Sequence, residues 1–404
     1  MAKIELLAPA GGLESLRAAS DFGADAVYAA GKAYGMRAFA ENFTRDGIKR
    51  AADLLHGAGK KLYVALNAVF HQNDFLGLDE YIAFLGEAGA DAFIISDPGV
   101  LRAAKRAAPG VPVHISTQQS TSNSHSANFW HENGASRVIL ARELSLDDIA
   151  DIRAKTPKAL ELEAFVHGAM CVAYSGRCLL SGVLTGRSGN KGECAQPCRW
   201  KYYLYEKGCE GEYLPVYSDD KGTYVLNSKD LCMIEHLKKI IDAGVTSLKI
   251  EGRMKSAYYV ACVTRAYRKA LDDVIADIPF DESLLDEVSK AGSRSFTTGF
   301  YFGNPRECGQ DAKLGTAVRT HDFVGVVKQP SDGEGWALVQ QRGKFCTGDI
   351  LEALSPGGCG GFVVSGIRSK TGEPRESAPH PMEAVYINCD YNLSAGDMLR
   401  KKNE

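Results

Sequence analysis

The chain has 404 residues, 45% apolar and 24% charged, with a formal net charge of −3, enough for a full core and a smaller second module. That charge excludes a global basic field for nucleic acid, so such a partner requires a local patch. No stretch approaches the roughly 18 apolar residues of a membrane span and Met1–Pro9 has no cleavage-site pattern, so a soluble cytoplasmic protein with no membrane association is expected.

Eight short apolar runs punctuate the first 255 residues: Ile4–Ala8, Ala26–Ala30, Leu62–Leu66, Ala92–Ser96, Val113–Thr117, Val138–Ala141, Leu162–Val166 and Ser247–Glu251. Between them, Leu13–Phe22, Thr44–Ala58 and Leu78–Ala88 carry apolar residues at helical spacing. Gly23-Ala24-Asp25, Gly89-Ala90-Asp91 and Gly134-Ala135-Ser136 each end a helix and feed a strand, with glycine closing the helix. Runs without alternation predict strands buried on both faces. Eight strand–helix repeats predict an α/β fold, a closed TIM-like (β/α)8 barrel rather than an open doubly wound sheet. About 80 residues separate the seventh run from the eighth. The barrel is therefore predicted over residues 1–303, with a cysteine-rich insertion at about 167–246 after strand seven.

Glu282–Ala291 predicts a further helix, and Ser295–Gly303 a linker rich in glycine and aromatics. Short β runs follow at Thr316–Arg319, Phe323–Val327, Ala337–Gln341, Ile350–Leu354, Phe362–Ile367 and Ala384–Asn388. Turn signals such as Ser331-Asp332-Gly333 and Pro356-Gly357-Gly358 separate them. Residues 304–404 are predicted to be a linker and a small antiparallel β-barrel.

Eleven cysteines are many for a reducing compartment, where they do not form a disulfide framework. Cys171, Cys178, Cys194 and Cys198 fall within 28 residues with spacing C-x6-C-x15-C-x3-C. Cys209, Cys232, Cys262, Cys308, Cys346, Cys359 and Cys389 are scattered, as small buried hydrophobes often are. Four thiolates can hold a zinc ion or a 4Fe-4S cube, and unliganded thiols are a third reading. Zinc sites favour short knuckles at both ends, whereas the wide first spacing and Pro197 beside Cys198 suit a cluster better. Cys232 is an alternative fourth ligand, against its reading as a buried thiol opening the helix Met233–Ala243.

The segment Glu163-Ala-Phe-Val-His-Gly-Ala-Met-Cys171, with Gly176-Arg-Cys178-Leu-Leu-Ser181, resembles the signature of the collagenase-like peptidase family U32. Gly192-Glu-Cys-Ala-Gln-Pro-Cys-Arg-Trp200, Asn227-Ser-Lys-Asp-Leu231, Lys249-Ile-Glu-Gly-Arg-Met-Lys255 and the opening Glu5-Leu-Leu-Ala-Pro-Ala-Gly11 are similar to other blocks of that family. The C-terminal module and Phe296-Thr-Thr-Gly-Phe-Tyr-Phe-Gly303 resemble the branch of tRNA hydroxylation proteins. The resemblance implies oxygen-independent hydroxylation with a 4Fe-4S cluster on four cysteines. In this branch the product is 5-hydroxyuridine at the tRNA wobble position, with prephenate as oxygen source or precursor. Relatives hydroxylate ribosomal RNA cytidine or the ubiquinone ring, and the fourth ligand varies among branches. The expected partners are tRNA and a small-molecule oxygen donor, and a paralogous subunit is a further one to look for.

Polar residues ending barrel strands are further candidates: Asn67, Asp97, Gln118, Arg142, Glu143, His167, Glu251 and Arg253. His167, four residues before Cys171, suits proton donation or substrate contact, against a satisfied buried histidine. Glu163 is expected near the interior, paired with Arg253 or Lys249. Catalytic roles are thus assigned to His167, Glu163, Arg253, Glu251 and Asn67. Arg187, Lys191, Arg199, Lys201, Arg253, Lys255, Arg265 and Arg268 are candidate phosphate contacts, and Trp200, Tyr202 and Tyr203 candidate stacking faces. No His-Glu-x-x-His or Gly-x-Ser-x-Gly motif occurs. A peptidase using Cys171 or Cys178 with His167, and a zinc-stabilised RNA-binding module without chemistry, are the alternative readings.

Overall fold

All eight apolar runs form strands of one closed parallel barrel: β1 (Glu5–Pro9), β2 (Ala26–Ala29), β3 (Lys61–Leu66), β4 (Ala92–Ile95), β5 (Val113–Ile115), β6 (Arg137–Ile139), β7 (Glu161–Ala169) and β8 (Ser247–Ile250). Each pairs with the next in parallel, β7 with β8 included, and β8 closes the ring on β1. The computed structural model describes residues 3–36, 41–171, 173–174, 177–200, 218–219, 222–223, 229–292, 294–304 and 319–403. Lys201, Tyr202, Tyr203, Cys209, Cys308 and residues 316–318 of the predicted strand at Thr316 lie outside them.

The runs lack alternation because both faces are covered, one by the barrel interior and the other by helices, and β2 and β4 are buried at every residue. The helices stop where glycine permits a left-handed turn: Gly23, Gly89 and Gly134 have φ of 106°, 93° and 87°. They start at side-chain caps, among them Thr44, Asn123, Ser145 and Ser256. Asp97 is another, accepting bonds from the Gly99 and Val100 amides at 2.7 and 3.1 Å. Its position at a strand end therefore reflects helix capping.

The predicted helix at Met233–Ala243 is a short 3-10 turn, Ile234–His236, followed by the helix Leu237–Asp242. Before it, Asp230–Cys232 is a strand, antiparallel to the far end of β7, with Phe296–Thr297 beside it. β7 runs for nine residues because its last three serve this extra strand beyond the barrel proper.

The C-terminal module is an eight-stranded antiparallel sheet around its own apolar cluster. The predicted run Phe362–Ile367 is two strands, Gly358–Val363 and Gly366–Ser369. Met398–Lys402, outside the predicted runs, pairs with both His321–Gln329 and Ile350–Ser355 near the middle of the sheet. Among the described residues no helix is long and apolar enough to cross a membrane.

Barrel and module share a buried junction. Leu354 and Met398 belong to the barrel's apolar cluster, and Tyr258 stacks on Phe323 with centroids 5.1 Å apart. Arg400, fully buried, holds Glu287 through two bonds of 2.8 Å and Glu352 through one of 2.6 Å. Burial pushes both carboxyls up, but bonds and charge from Arg400 outweigh it and hold them below the usual range. An Arg400→Met variant leaves these carboxylates without their guanidinium, so it should lose about 3–5 kcal/mol. With Arg400 gone, burial is opposed only by Lys290 and, at Glu287, by Arg265, so both pKa values should rise above those of the unfolded chain. The folded state then binds more protons, and stability should fall as pH rises from 5 to 8. Urea titrations of both proteins across that range test this; equal pH slopes would refute it.

Candidate active site at the mouth of the barrel

The interior positions of the strands alternate between a charged floor and an open mouth. At the floor, Arg137 donates to Glu5 at 2.6 Å and Glu163 at 2.9 Å, and Lys249 donates to Glu163 at 2.8 Å. Ser247 bridges the two carboxylates, and Tyr63 donates to Glu5 at 2.6 Å. Burial pushes Glu5 up, yet the Arg137 charge and these bonds hold it below the usual carboxylate range. His114 lies alongside, kept neutral by burial and by the positive charges of Arg137 and Lys249. Glu163 thus pairs with Lys249, as one expectation had it. Arg253 lies beyond the end of β8, where it reaches the Met36 carbonyl at 2.5 Å and Asn42 at 3.0 Å.

Above this floor is a cavity of about 120 Å³. Three of the four clustered cysteines, Cys171, Cys178 and Cys194, line it together with Asn67, Arg142, Lys249, Glu251 and Arg253. Asn67 accepts from the Met36 amide at 3.2 Å and donates to Ser116 at 3.3 Å. Arg142 bonds Glu251 at 3.0 Å and lies 3.8 Å over the Phe165 ring. Burial lowers the Lys249 pKa, an effect partly offset by Glu163, and its ammonium lies 4.4 Å from the Tyr28 ring centroid.

Local bonds bring the cysteine segments together. The Ser181 hydroxyl donates to the Arg187 carbonyl at 2.7 Å and accepts from the Ala195 amide at 3.0 Å. It thereby ties the helix Leu180–Thr185, next to Cys178, to the segment of Cys194. The Val69 amide bonds the Asn190 carbonyl at 3.1 Å, and Lys191 pairs with Asp74 at 2.6 Å. These anchor the insertion to the loop after β3. Cys198, on the 3-10 turn Pro197–Arg199, is part-buried and outside the cavity lining.

His167 and Cys232 lie elsewhere. The β7–β8 register shifts between Lys249 and Ile250, so that His167 rather than Val166 pairs with Ile250. The extra residue reverses side-chain parity. Phe165 faces the cavity, whereas His167 faces the helical layer, against Tyr267, Tyr259 and Phe296. Tyr267 donates its single proton to the Val166 carbonyl at 2.8 Å, leaving its oxygen to accept from the His167 ring at 3.3 Å. Burial lowers the His167 pKa to about 4. Cys232, opposite His167, is buried beside Tyr267, and burial pushes its thiol up to about 11.

Of the remaining candidates, Gln118 lines the cavity and Glu143 does not. Arg268 pairs with Asp25 at 3.1 Å, at the end of the barrel opposite the mouth. Trp200 is exposed. Ser116, Tyr28, Tyr174 and Asn190 also line the cavity, and sequence reasoning passed over them. For Ser116 the available signal was its place at the end of β5; Asn190 has no local signal.

The mouth of the barrel is thus lined by polar strand ends and by cysteines from one inserted loop. The chain matches Peptidase family U32 over residues 11–311 and the C-terminal domain of that family over residues 319–400. It belongs to peptidase family U32. It is 39% identical to tRNA hydroxylation protein P1 of Bacillus subtilis, covering 99% of this chain and 95% of that one. It is 36% identical to tRNA hydroxylation protein P of Escherichia coli, covering 100% and 97%. Identity to the 23S rRNA 5-hydroxycytidine synthase of E. coli is 39%, over 68% of this chain and 40% of that one.

The ionic floor generates a stability prediction. Glu163→Gln leaves Arg137 and Lys249 facing a neutral amide in a site with no exposure. Breaking a buried pair in this way should cost about 3–5 kcal/mol. The urea midpoint should fall with an unchanged slope; an unchanged midpoint would mean that the floor does not need its carboxylate.

Proposed function

We propose that the chain hydroxylates a base of RNA, and specifically forms 5-hydroxyuridine at the wobble position of tRNA without molecular oxygen. The observation that carries this reading is the convergence of Cys171, Cys178 and Cys194 on the polar cavity of the mouth. Near-complete coverage of two tRNA hydroxylation proteins supports tRNA over ribosomal RNA, since the ribosomal RNA relative matches over only 40% of its length.

The donor set fits a 4Fe-4S cluster, with Cys171, Cys178 and Cys194 as ligands and Cys198 as the fourth. When bound, such a cluster supplies one-electron chemistry at the cavity wall. The wide first sequence spacing, C-x6-C, favours the cluster over the zinc-stabilised module, because zinc sites prefer short knuckles at both ends.

The chain's own side chains bind and orient. A uridine turned out of its stack reaches the cavity between Tyr28 and Phe165. Arg142 and Arg253 offer planar guanidinium forks suited to the carboxylates of prephenate, the oxygen source in this reading. Asn67, held by Met36 and Ser116, presents a fixed amide to the base edge. Glu251, bonded to Arg142 at the cavity wall, is the carboxylate placed to accept a proton released from the base. His167, neutral and turned to the helices, acts as a positioning residue for the end of β7. That orientation speaks against a Cys–His peptidase pair.

Cys171→Ala, Cys178→Ala and Cys194→Ala should each abolish the broad absorbance near 400 nm and the bound iron and sulfide of anaerobically purified protein. Cys232→Ala should keep both while lowering stability by about 1 kcal/mol. A Cys171→Ala protein that retains four irons per chain would overturn the ligand set. Nucleoside mass spectrometry of tRNA from a deletion strain tests the product. Normal 5-hydroxyuridine there, with no paralogue to replace it, would remove the tRNA assignment.

A further inference from the structure

A second cleft lies between barrel and C-terminal module, with a volume of about 630 Å³. Its lining includes Arg319, Arg342, Lys344, Lys401 and Lys402, with Asp322 its one carboxylate among the described residues. Arg342 bonds Glu14 and Lys401 bonds Asp349. Counting those partners still leaves an excess of two positive charges, in a chain whose net charge is −3. Arg319, Lys344 and Lys402 are exposed, so they can exchange water and counterions for a ligand.

The cleft's position gives that charge a direction. Glu14 lies in the first turn of the helix directly after β1, and Ser256, which lines the cleft, caps the helix directly after β8. Both follow the C-terminal ends of barrel strands, so the module docks at the β1–β8 seam on the face that carries the cavity. Arg253 lines the cavity and Ser256 the cleft. Three residues of chain span at most about 11 Å. A polyanion lying in the cleft therefore runs beside the mouth.

We propose that this interdomain cleft is the docking groove for the sugar–phosphate backbone of the RNA substrate, with Arg319, Lys344 and Lys402 as phosphate contacts that hold the strand while its target base enters the barrel. The inference rests on the RNA-hydroxylation reading and assigns the module a task within it. RNA is favoured over an acidic protein because the groove offers charge with few apolar contacts, which suits phosphates more than a folded partner. It also explains how a chain of net negative charge can retain RNA: the positive field is local and sits at the one face where the strand must be delivered.

The test compares full-length proteins with their cluster in place. Binding of total tRNA is followed by fluorescence anisotropy between 50 and 200 mM salt for wild type and for the double variant Lys344→Glu, Lys402→Glu. Its control is Lys61→Glu, Lys158→Glu, two exposed lysines at the opposite end of the barrel. Removing two phosphate contacts should lower the slope of log affinity against log salt by about 1.4–1.8. Affinity at low salt should fall on the order of tenfold or more, with the 400 nm absorbance and thermal midpoint unchanged and the control like wild type. If wild type binds tRNA and the cleft variant keeps both affinity and slope, the inference is overturned. Should the variant lose binding to polyglutamate but keep tRNA, the occupant is an acidic protein and the inference again fails. If wild type binds no RNA at all, the fault lies in the RNA reading itself, a result that neither variant can produce.

Discussion

The closure of the barrel at β7 and β8 is the constraint on which the site depends. The register shift at Lys249–Ile250 decides which β7 side chains enter the barrel and which face the helices. Before it, Glu163 and Phe165 point inward with Lys249; after it, His167 turns to Tyr267. Gly168 has φ of 110°, and a Cβ there would stand 2.6 Å from the Glu251 carbonyl oxygen. Only glycine allows the end of β7 to pass so close to the loop after β8. That approach sets Glu251 against Arg142 and starts the cysteine insertion at the edge of the mouth.

Beneath the mouth, the ionic floor acts as a foundation. Two cations and two carboxylates share bonds of 2.6–2.9 Å. A floor of this kind is no better for stability than a well-packed apolar one, because both signs must be desolvated. Its consequence is positional: Lys249 is held from below by Glu163, so its ammonium sits at a fixed height under the cavity. Polar groups placed this way need no rearrangement when charge develops above them.

The C-terminal module is joined to this face by a second buried ionic set. Arg400 serves Glu287 of the barrel and Glu352 of the module at once, while Arg342 reaches Glu14 across the seam. The module is therefore oriented by charges on both sides of the junction. Orientation at the β1–β8 seam is what turns scattered lysines and arginines of the last sheet into one groove beside the cavity.

The eight strands, the helix ends and the module's β character were legible in local sequence, because burial on two faces, glycine at helix ends and turn residues between short runs are all written in neighbouring residues. Cys171, Cys178 and Cys194, singled out by their spacing, and Asn67, Glu251 and Arg253, by their places at strand ends, line one cavity. Two outcomes depended on long-range contacts, and a third on a local position that admits two roles. The parity of His167 turned on one extra residue in the pairing of strands about 80 residues apart, and no local pattern encodes that shift. Met398–Lys402 became a central strand because its backbone pairs on both sides while Arg400 finds two buried carboxylates; read alone, its charge argues against a strand. Asp97 had the sequence position of a site residue and proved to be a helix cap, since the same strand-to-helix turn that exposes catalytic groups also leaves amides to be bonded. Sequence by itself determined most of the elements and the residue types available for chemistry. Tertiary structure alone decided which of those groups face one another, because side-chain direction in a closed barrel depends on register, and register is a property of pairs of strands.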